Sequence, residues 1–280
     1  MPDDRVGRNA LDRALDEKED LLLVYQPIHD ASTKRIRAAE ALLRQRRQSG
    51  EIRETKIITA TAEKGPELFA IESFTMRRAW TEAAQWMAID PEVRLNLNLS
   101  PREFKARHIV GRLKGLASSC GLDLGRLNLE ITETTYIDEP EETQQVLAEL
   151  RGLGVHVWLD DFGTKHSTLT HLLQFDVDGI KLPGEFVCGL PDDHRCRALT
   201  KMLVQLAHEI DLKVIAEGVE TPEQLEFLLE HECDFIQGYL YSRPMPLPDL
   251  EALLRRSSAA SPLPEHVRRD DGRGPSSPPS

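Results

Sequence analysis

The chain lacks the marks of a membrane-spanning or exported protein. Nowhere in its 280 residues does an apolar run approach the ~20 needed to cross a bilayer. Its opening stretch, MPDDRVGRNALDRALDEKED, has no apolar core of the kind a secretory signal requires. A cytoplasmic location with no membrane span is therefore expected. Cysteine is scarce: Cys120, Cys188, Cys196 and Cys233 are widely separated, and none forms a C-x-x-C pair. That spacing argues against a structural zinc site or a disulfide framework and for buried or free thiols. Basic excess is also missing. Lys and Arg number 35 against 47 Asp and Glu, a formal charge of −12, which argues against broad binding to duplex nucleic acid. A small phosphate ligand is still compatible with this balance, because metal ions can reverse the local sign of charge in a carboxylate-rich site.

Present instead is an ordinary globular composition, 40% hydrophobic and 29% charged. A chain of this length can form one large barrel or two modest domains. Residues 6–18 carry apolar positions at helical spacing. Leu21–Ile28 reads as a buried strand, His29–Lys34 as a turn and Arg35–Leu43 as a second strand, together an antiparallel hairpin. Residues 56–88 look helical, in two pieces broken near Gly65-Pro66. A rhythm then sets in. Strand-like runs at Val93–Leu99, Arg126–Thr132, Val155–Asp160, Val177–Leu182, Leu212–Ala216 and Asp234–Tyr239 alternate with helical stretches near 102–120, 140–152, 166–174, 191–210 and 221–231. Such alternation implies a parallel sheet with helical crossovers. The fold expected is α/β, a TIM-like (β/α)8 barrel with an antiparallel first strand pair, over residues 1–256. The Ser- and Pro-rich stretch 257–280 is expected to be a disordered tail.

The polar residues fall at the ends of the expected strands. Glu40 ends the second strand and Asn98 ends VRLNLN, while Glu130 lies near the end of RLNLEIT. Asp160 and Asp161 end VHVWLD, Lys181 ends VDGIK, Glu217 follows VIA, and Gln237 lies in the last run. In a (β/α) barrel the C-terminal strand ends converge on one face, where active sites form. Singly, each residue reads as a solvated acid or a helix cap, as Asn98 with Ser100 could be before Pro101. Gathered at one mouth, the carboxylates would repel one another and raise each other's pKa. An oxygen-rich cluster of this kind suits Mg²⁺ or Mn²⁺.

The order and spacing of short motifs adds a more specific signal. They are Tyr25-Gln26-Pro27-Ile28, Glu40-Ala41-Leu42-Leu43-Arg44, Asn98-Leu99-Ser100 and Leu129-Glu130-Ile131-Thr132-Glu133. Further on come Asp160-Asp161-Phe162-Gly163-Thr164, Lys181, Ala216-Glu217-Gly218-Val219-Glu220-Thr221 and Gln237-Gly238-Tyr239. From about residue 8 to 255 the sequence resembles the EAL domain family of cyclic di-GMP phosphodiesterases. The resemblance implies metal-dependent opening of cyclic di-GMP to linear pGpG, with two Mg²⁺ or Mn²⁺ ions as cofactors. It implies that Glu40, Asn98, Glu130 and Asp160 hold one metal, and that Asp160, Asp161 and Glu217 serve the second metal and the attacking water. It also implies that Lys181 faces that water or the phosphate, that Arg44 pairs with a substrate phosphate and that Gln26 lies near the guanine or its sugar. Glu133 matches a glutamate that fixes the loop after Asp161, with Glu220 and Gln237 as supporting residues. A homodimer is a further implication.

Three places depart from the family pattern. Lys165-His166-Ser167 stands where a glycine, an aromatic residue and a serine are usual. Pro183, followed by Gly184-Glu185, replaces an acidic residue, and the segment after Arg44 lacks the usual His-Pro. None removes a residue of the implied ligand set. A competing reading, a receptor that binds cyclic di-GMP without turnover, draws on the first two departures; a scaffold without nucleotide fits the acidic cluster poorly. His156, inside a strand, reads as a packed core or face residue rather than a ligand, and Trp80, Trp86 and Trp158 read as core.

Overall fold

The computed structural model describes residues 21–46, 49–54, 67–100, 104, 108–121, 123–132, 140–164 and 169–259. The helix expected at 6–18, the break near Gly65-Pro66 and the stretch 260–280 lie outside the described residues.

The chain opens with two long strands, β1 (Leu21–Asp30) and β2 (Ile36–Arg46), paired antiparallel so that Gln26 faces Glu40. Next come β3 (Ile52–Glu54), α1 (Glu67–Ile89), β4 (Arg94–Leu99), α2 (His108–Cys120), β5 (Leu127–Thr132) and α3 (Pro140–Gly152). The remainder is β6 (His156–Asp160), α4 (Leu169–Gln174), β7 (Gly179–Leu182), α5 (Gly184–Val187), α6 (His194–Glu209), β8 (Lys213–Glu217), α7 (Pro222–Glu230), β9 (Phe235–Gln237) and α8 (Leu247–Ala259). Strands β2, β4, β5, β6, β7, β8 and β9 run parallel in that order, and β1 closes the ring by pairing antiparallel with both β9 and β2. The result is the eight-stranded mixed barrel that the sequence predicts.

One strand was not expected. β3 pairs antiparallel with Arg44–Arg46, the part of β2 that runs past its pairing with β4. The β1–β2 hairpin therefore rises above the rim as a wall, with β3 as its outer strand.

Helices form where capping chemistry and amphipathic spacing coincide. Asp193 caps α6 by accepting from the N–H groups of Arg195 and Cys196. Thr221 and Gln224 form a reciprocal capping box at α7, with Pro222 opening the helix. Between barrel and helices lies the main core, with Trp80, Trp86, Phe104 and the outward faces of β4 to β8 buried in it. The strands are thus covered on both sides, which is why β5 (LNLEIT) is buried at every position but its last.

The lumen is layered with a period of two, as side-chain alternation requires. Ile28, Ala38, Trp158 and Ile215 pack together with Phe235 against them. Each lies two positions from a polar strand-end residue: Gln26, Glu40, Asp160, Glu217 and Gln237. Gly179 stands in the same layer, two before Lys181, and leaves room for the Trp158 ring. A β-carbon there would collide with that ring and come within 2.6 Å of the Lys213 carbonyl oxygen. Gly179→Ala is accordingly expected to cost roughly 1–3 kcal/mol in urea unfolding; an unchanged midpoint would mean that Trp158 has another place to go. Below this layer, His156 opens β6 and pairs with Asp178 at 2.9 Å, half-buried on the strand face, the second of the two placements expected of it.

Candidate active site

Lys181 is the hub of the barrel mouth. Its ammonium reaches Glu217 Oε1 at 2.7 Å, Glu130 Oε2 at 2.8 Å, Asp160 Oδ1 at 3.3 Å and Glu40 Oε2 at 3.6 Å, while the residue is only 1% exposed. Four strands contribute those acids, because β2, β5, β6 and β8 bring Glu40, Glu130, Asp160 and Glu217 to one level around β7. Amides complete the shell. Asn98 donates to Glu40 Oε1 at 2.7 Å, Gln237 donates to Glu40 Oε2 at 2.7 Å, and Asn96 donates to Glu130 Oε1 at 2.6 Å.

Burial and charge set the ionisation of this cluster. Burial by itself would pull Lys181 down, but Asp160, Glu130, Glu217 and Glu40 outweigh it and hold the ammonium well above the ordinary lysine range. Burial, reinforced by the charge of Glu40, raises Glu130 well above the usual carboxylate range. Burial likewise pushes Glu217 up to about 7, against the pull of Lys181. Glu40 goes the other way: burial opposes its charge, yet Lys181 and the amides of Gln237 and Asn98 hold its pKa below the ordinary value.

Asp161 is placed by a turn rather than a strand. It follows β6 in the left-handed region, with φ of 52°, a conformation aspartate tolerates better than most residues. Thr164 donates to the Asp161 carbonyl through both its N–H and its hydroxyl. Phe162, buried in the core, donates its N–H to the Lys181 carbonyl at 3.1 Å and so ties the turn to β7. The consequence is a second acidic group: oxygens of Asp160, Asp161 and Glu217 all lie within 4.8 Å of one another. The loop after β8 is seated as firmly, since a β-carbon on Gly238 would run into the Val219 backbone.

Over these acids opens a cavity of about 490 Å³. Gln26, Glu40, Arg44, Asn98, Asp160, Lys181, Glu217, Glu220 and Gln237, all singled out from sequence, line it. Glu130 lies beneath, reached through Lys181, and Asp161 stands beside Asp160. Arg44 sits on the β2 wall, two strand positions beyond Leu42 and four beyond Glu40, so all three face the cavity. Its guanidinium donates to the Leu43 carbonyl at 2.9 Å and approaches Glu54 of β3 at 3.9 Å. Glu220 is exposed at the rim, and its backbone N–H donates to Gln224 in the α7 cap. Gln26 donates to the Ser242 carbonyl and accepts from Gln237, each at 3.3 Å. Glu133, Lys165, His166 and Ser167 lie outside the described residues. Pro183, the other departure, is buried at the start of α5 directly behind β7.

Sequence reasoning passed over Glu54, Tyr239 as a cavity wall, and Asn96. The signal for Asn96 was present, an asparagine two positions before Asn98 in RLNLNL, where strand alternation puts both on one face.

A donor set of this kind fits divalent cations. Glu40, Glu130, Asp160, Asp161 and Glu217 bring five carboxylates to one mouth against the single Lys181 ammonium among the described strand-end residues. Every donor is oxygen, the preference of Mg²⁺ and Mn²⁺. Asn98 has its NH₂ committed to Glu40, leaving its amide oxygen as the atom it can offer.

Fold and mouth together define a class: an α/β barrel with one antiparallel strand and an acidic site at the strand ends. The chain belongs to the EAL domain family, whose model matches residues 8–244. It is 33% identical over 248 residues to the cyclic di-GMP phosphodiesterase NbdA of Pseudomonas aeruginosa, covering 88% of this chain and 32% of that protein. The chain spans about a third of the length of the first curated relatives it matches. Among solved structures it resembles the PaMucR phosphodiesterase in complex with c-di-GMP, at 29% identity and a TM-score of 0.82 over 87% of this chain and 99% of that one. It also resembles BlrP1 of Klebsiella pneumoniae, solved with cyclic di-GMP and calcium or manganese, at 27% identity and a TM-score of 0.71 over 81% of this chain and 56% of that one.

Proposed function

We propose that this chain hydrolyses cyclic di-GMP to linear pGpG. The observation that carries this reading is the cluster of carboxylates around buried Lys181 beneath a cavity lined by Arg44, Gln26 and Gln237. Glu40, Asn98, Glu130 and Asp160 would hold one divalent cation, with Asp160, Asp161 and Glu217 serving a second. Such ions supply an activated water and charge stabilisation at the phosphate. The protein's own groups do the rest. Arg44 offers a planar guanidinium to a phosphate entering from the rim. Lys181 keeps the carboxylates from repelling one another and offsets charge that develops on the phosphate. Gln26 and Gln237 present amides to the nucleoside, and Glu133 is assigned to steadying the loop after Asp161. Water adds to one phosphorus, the bond from that phosphorus to the ribose 3′ oxygen breaks, and this oxygen takes up the proton.

The direct test is incubation of purified protein with cyclic di-GMP and Mg²⁺ or Mn²⁺, with products separated by chromatography. The expected result is pGpG whose formation stops on adding a chelator. Binding of the nucleotide in calcium without any product in Mg²⁺ or Mn²⁺ would replace the hydrolase reading by that of a receptor.

Cation binding should also depend on pH in a defined direction. Glu217, pushed up to about 7, is largely protonated at pH 6 and must lose its proton to ligate. Mn²⁺ affinity is therefore expected to rise from pH 6 to about 7.5 with proton release, measured by calorimetry in buffers of different ionisation enthalpy. Affinity unaffected by pH over that range would remove Glu217 from the ligand set.

A further inference from the structure

The lumen layer beneath the acids contains an anomaly. Ile28, Ala38, Trp158, Gly179, Ile215 and Phe235 make it apolar or empty on six strands. On the neighbouring strands β4 and β5 the same layer holds Asn96 and Asn128, directly paired in register, 0% and 4% exposed. Buried amides are costly unless satisfied, so two of them in a layer where leucine would serve need a reason.

Their hydrogen bonds run in one direction. Arg94, two positions below Asn96, reaches Asn128 Oδ1 from its guanidinium at 3.4 Å. Asn128 donates to Asn96 Oδ1 at 2.8 Å, and Asn96 donates to Glu130 Oε1 at 2.6 Å. A guanidinium can only donate. It therefore turns the Asn128 oxygen downward and its NH₂ toward Asn96, which in turn presents its own NH₂ to Glu130. Glu130 is gripped from below on Oε1 while Lys181 takes Oε2 at 2.8 Å. Both carboxylate oxygens, and hence the plane of the group, are fixed by donors.

We propose that Asn96, oriented by Asn128, is a positioning residue that holds the Glu130 carboxylate in the attitude required for cation binding. This rests on the reading of Glu130 as a ligand in the proposed hydrolase. Outer partners of this kind orient a ligand rather than touch the cation, and losing one typically lowers affinity about 10- to 100-fold. The assignment separates from a plain packing role. In an otherwise apolar layer, leucine keeps the branched shape of asparagine, and replacing both amides removes their polar atoms together, so the combined variant should leave the fold intact while releasing Glu130.

The test uses the full chain with Asn96→Leu, Asn128→Leu and the two combined. Free Mn²⁺ is followed by electron paramagnetic resonance during titration without substrate, and urea unfolding is measured in chelator. Asn96→Leu is expected to weaken Mn²⁺ binding about 10- to 100-fold, with a lower unfolding midpoint in chelator because the Asn128 NH₂ loses its acceptor, a stability loss that the combined variant recovers. Asn128→Leu leaves the donor to Glu130 but frees its orientation, so a smaller loss is expected, and the combined variant should match Asn96→Leu. With cyclic di-GMP, kcat should fall while KM for the nucleotide holds. Mn²⁺ affinity within about twofold of wild type, or a loss that only tracks destabilisation in chelator, overturns the proposal. If Asn96→Leu fails to fold, unchanged affinity in Asn128→Leu overturns it equally. A wild-type chain that binds Mn²⁺ but forms no pGpG sinks the hydrolase reading alone; one that binds no Mn²⁺ sinks both.

Discussion

Replacing Lys181 by methionine is expected to produce the largest combined loss of stability and activity at any single position of the mouth. Methionine fills most of the space of the lysine stem, so the change is one of charge more than volume. Four carboxylates within 2.7 to 3.6 Å would lose their shared cation at a site that is 1% exposed. Removing one partner of a buried ion pair typically costs 3–5 kcal/mol, because the other charge is left uncompensated. Here the carboxylates can take up protons, Glu130 first, since its pKa is already raised well above the usual range. A loss of roughly 3 kcal/mol in urea unfolding with chelator is therefore expected. Saturating Mn²⁺ should return part of it by stabilising the state that binds the ion. Turnover should fall by roughly 10²–10³, the usual effect of deleting one preorganised electrostatic contact. A variant as stable as wild type in chelator would show that the acids do not depend on Lys181.

Glu40→Ala separates the two consequences. Glu40 accepts from Asn98 and Gln237 at 2.7 Å each, and both amides face a cavity where water can replace the lost acceptor. Glu40 is also the larger of the two carboxylate charges that raise Glu130, so its removal relieves charge in the cluster. Stability in chelator should change by less than about 1 kcal/mol. Cation binding is another matter, because a ligand and the anchor of Asn98 disappear together. Mn²⁺ affinity should drop more than about 100-fold, beyond the usual effect of an outer partner, and pGpG formation should cease. Retained activity with wild-type Mn²⁺ affinity would remove Glu40 from the metal assignment. Glu40→Gln keeps the shape but can accept from only one of the two amides, its own NH₂ facing the other, and it should be as inactive as Glu40→Ala.

The sequence alone carried the barrel and most of its mouth. Alternating strand and helix periods are local properties, as are caps such as Asp193 and Thr221, and the polar residues ending each run could be read as one ring once a barrel was inferred. Boundaries of the barrel strands moved by one to three residues, as Val93–Leu99 against Arg94–Leu99 and Arg35–Leu43 against Ile36–Arg46 illustrate. Less legible was β3, because Ile52–Glu54 is short, exposed and stabilised only by pairing with the extended end of β2. Glu54 was missed with it.

What only the tertiary structure decided is which of those polar residues share a charge and which way each one faces. The family resemblance implied that Lys181 faces a water or a phosphate, but register around the closed ring makes it the hub of four acids from four strands. Asn96 and Asn128 read as ordinary alternation in RLNLNL and RLNLEIT, and became meaningful only when the six other strands filled their layer without an amide. Local sequence encodes periodicity and turn chemistry. The pKa of Glu217, the direction of an amide and the support beneath a ligand depend on neighbours from distant strands, brought into contact only by closure of the barrel.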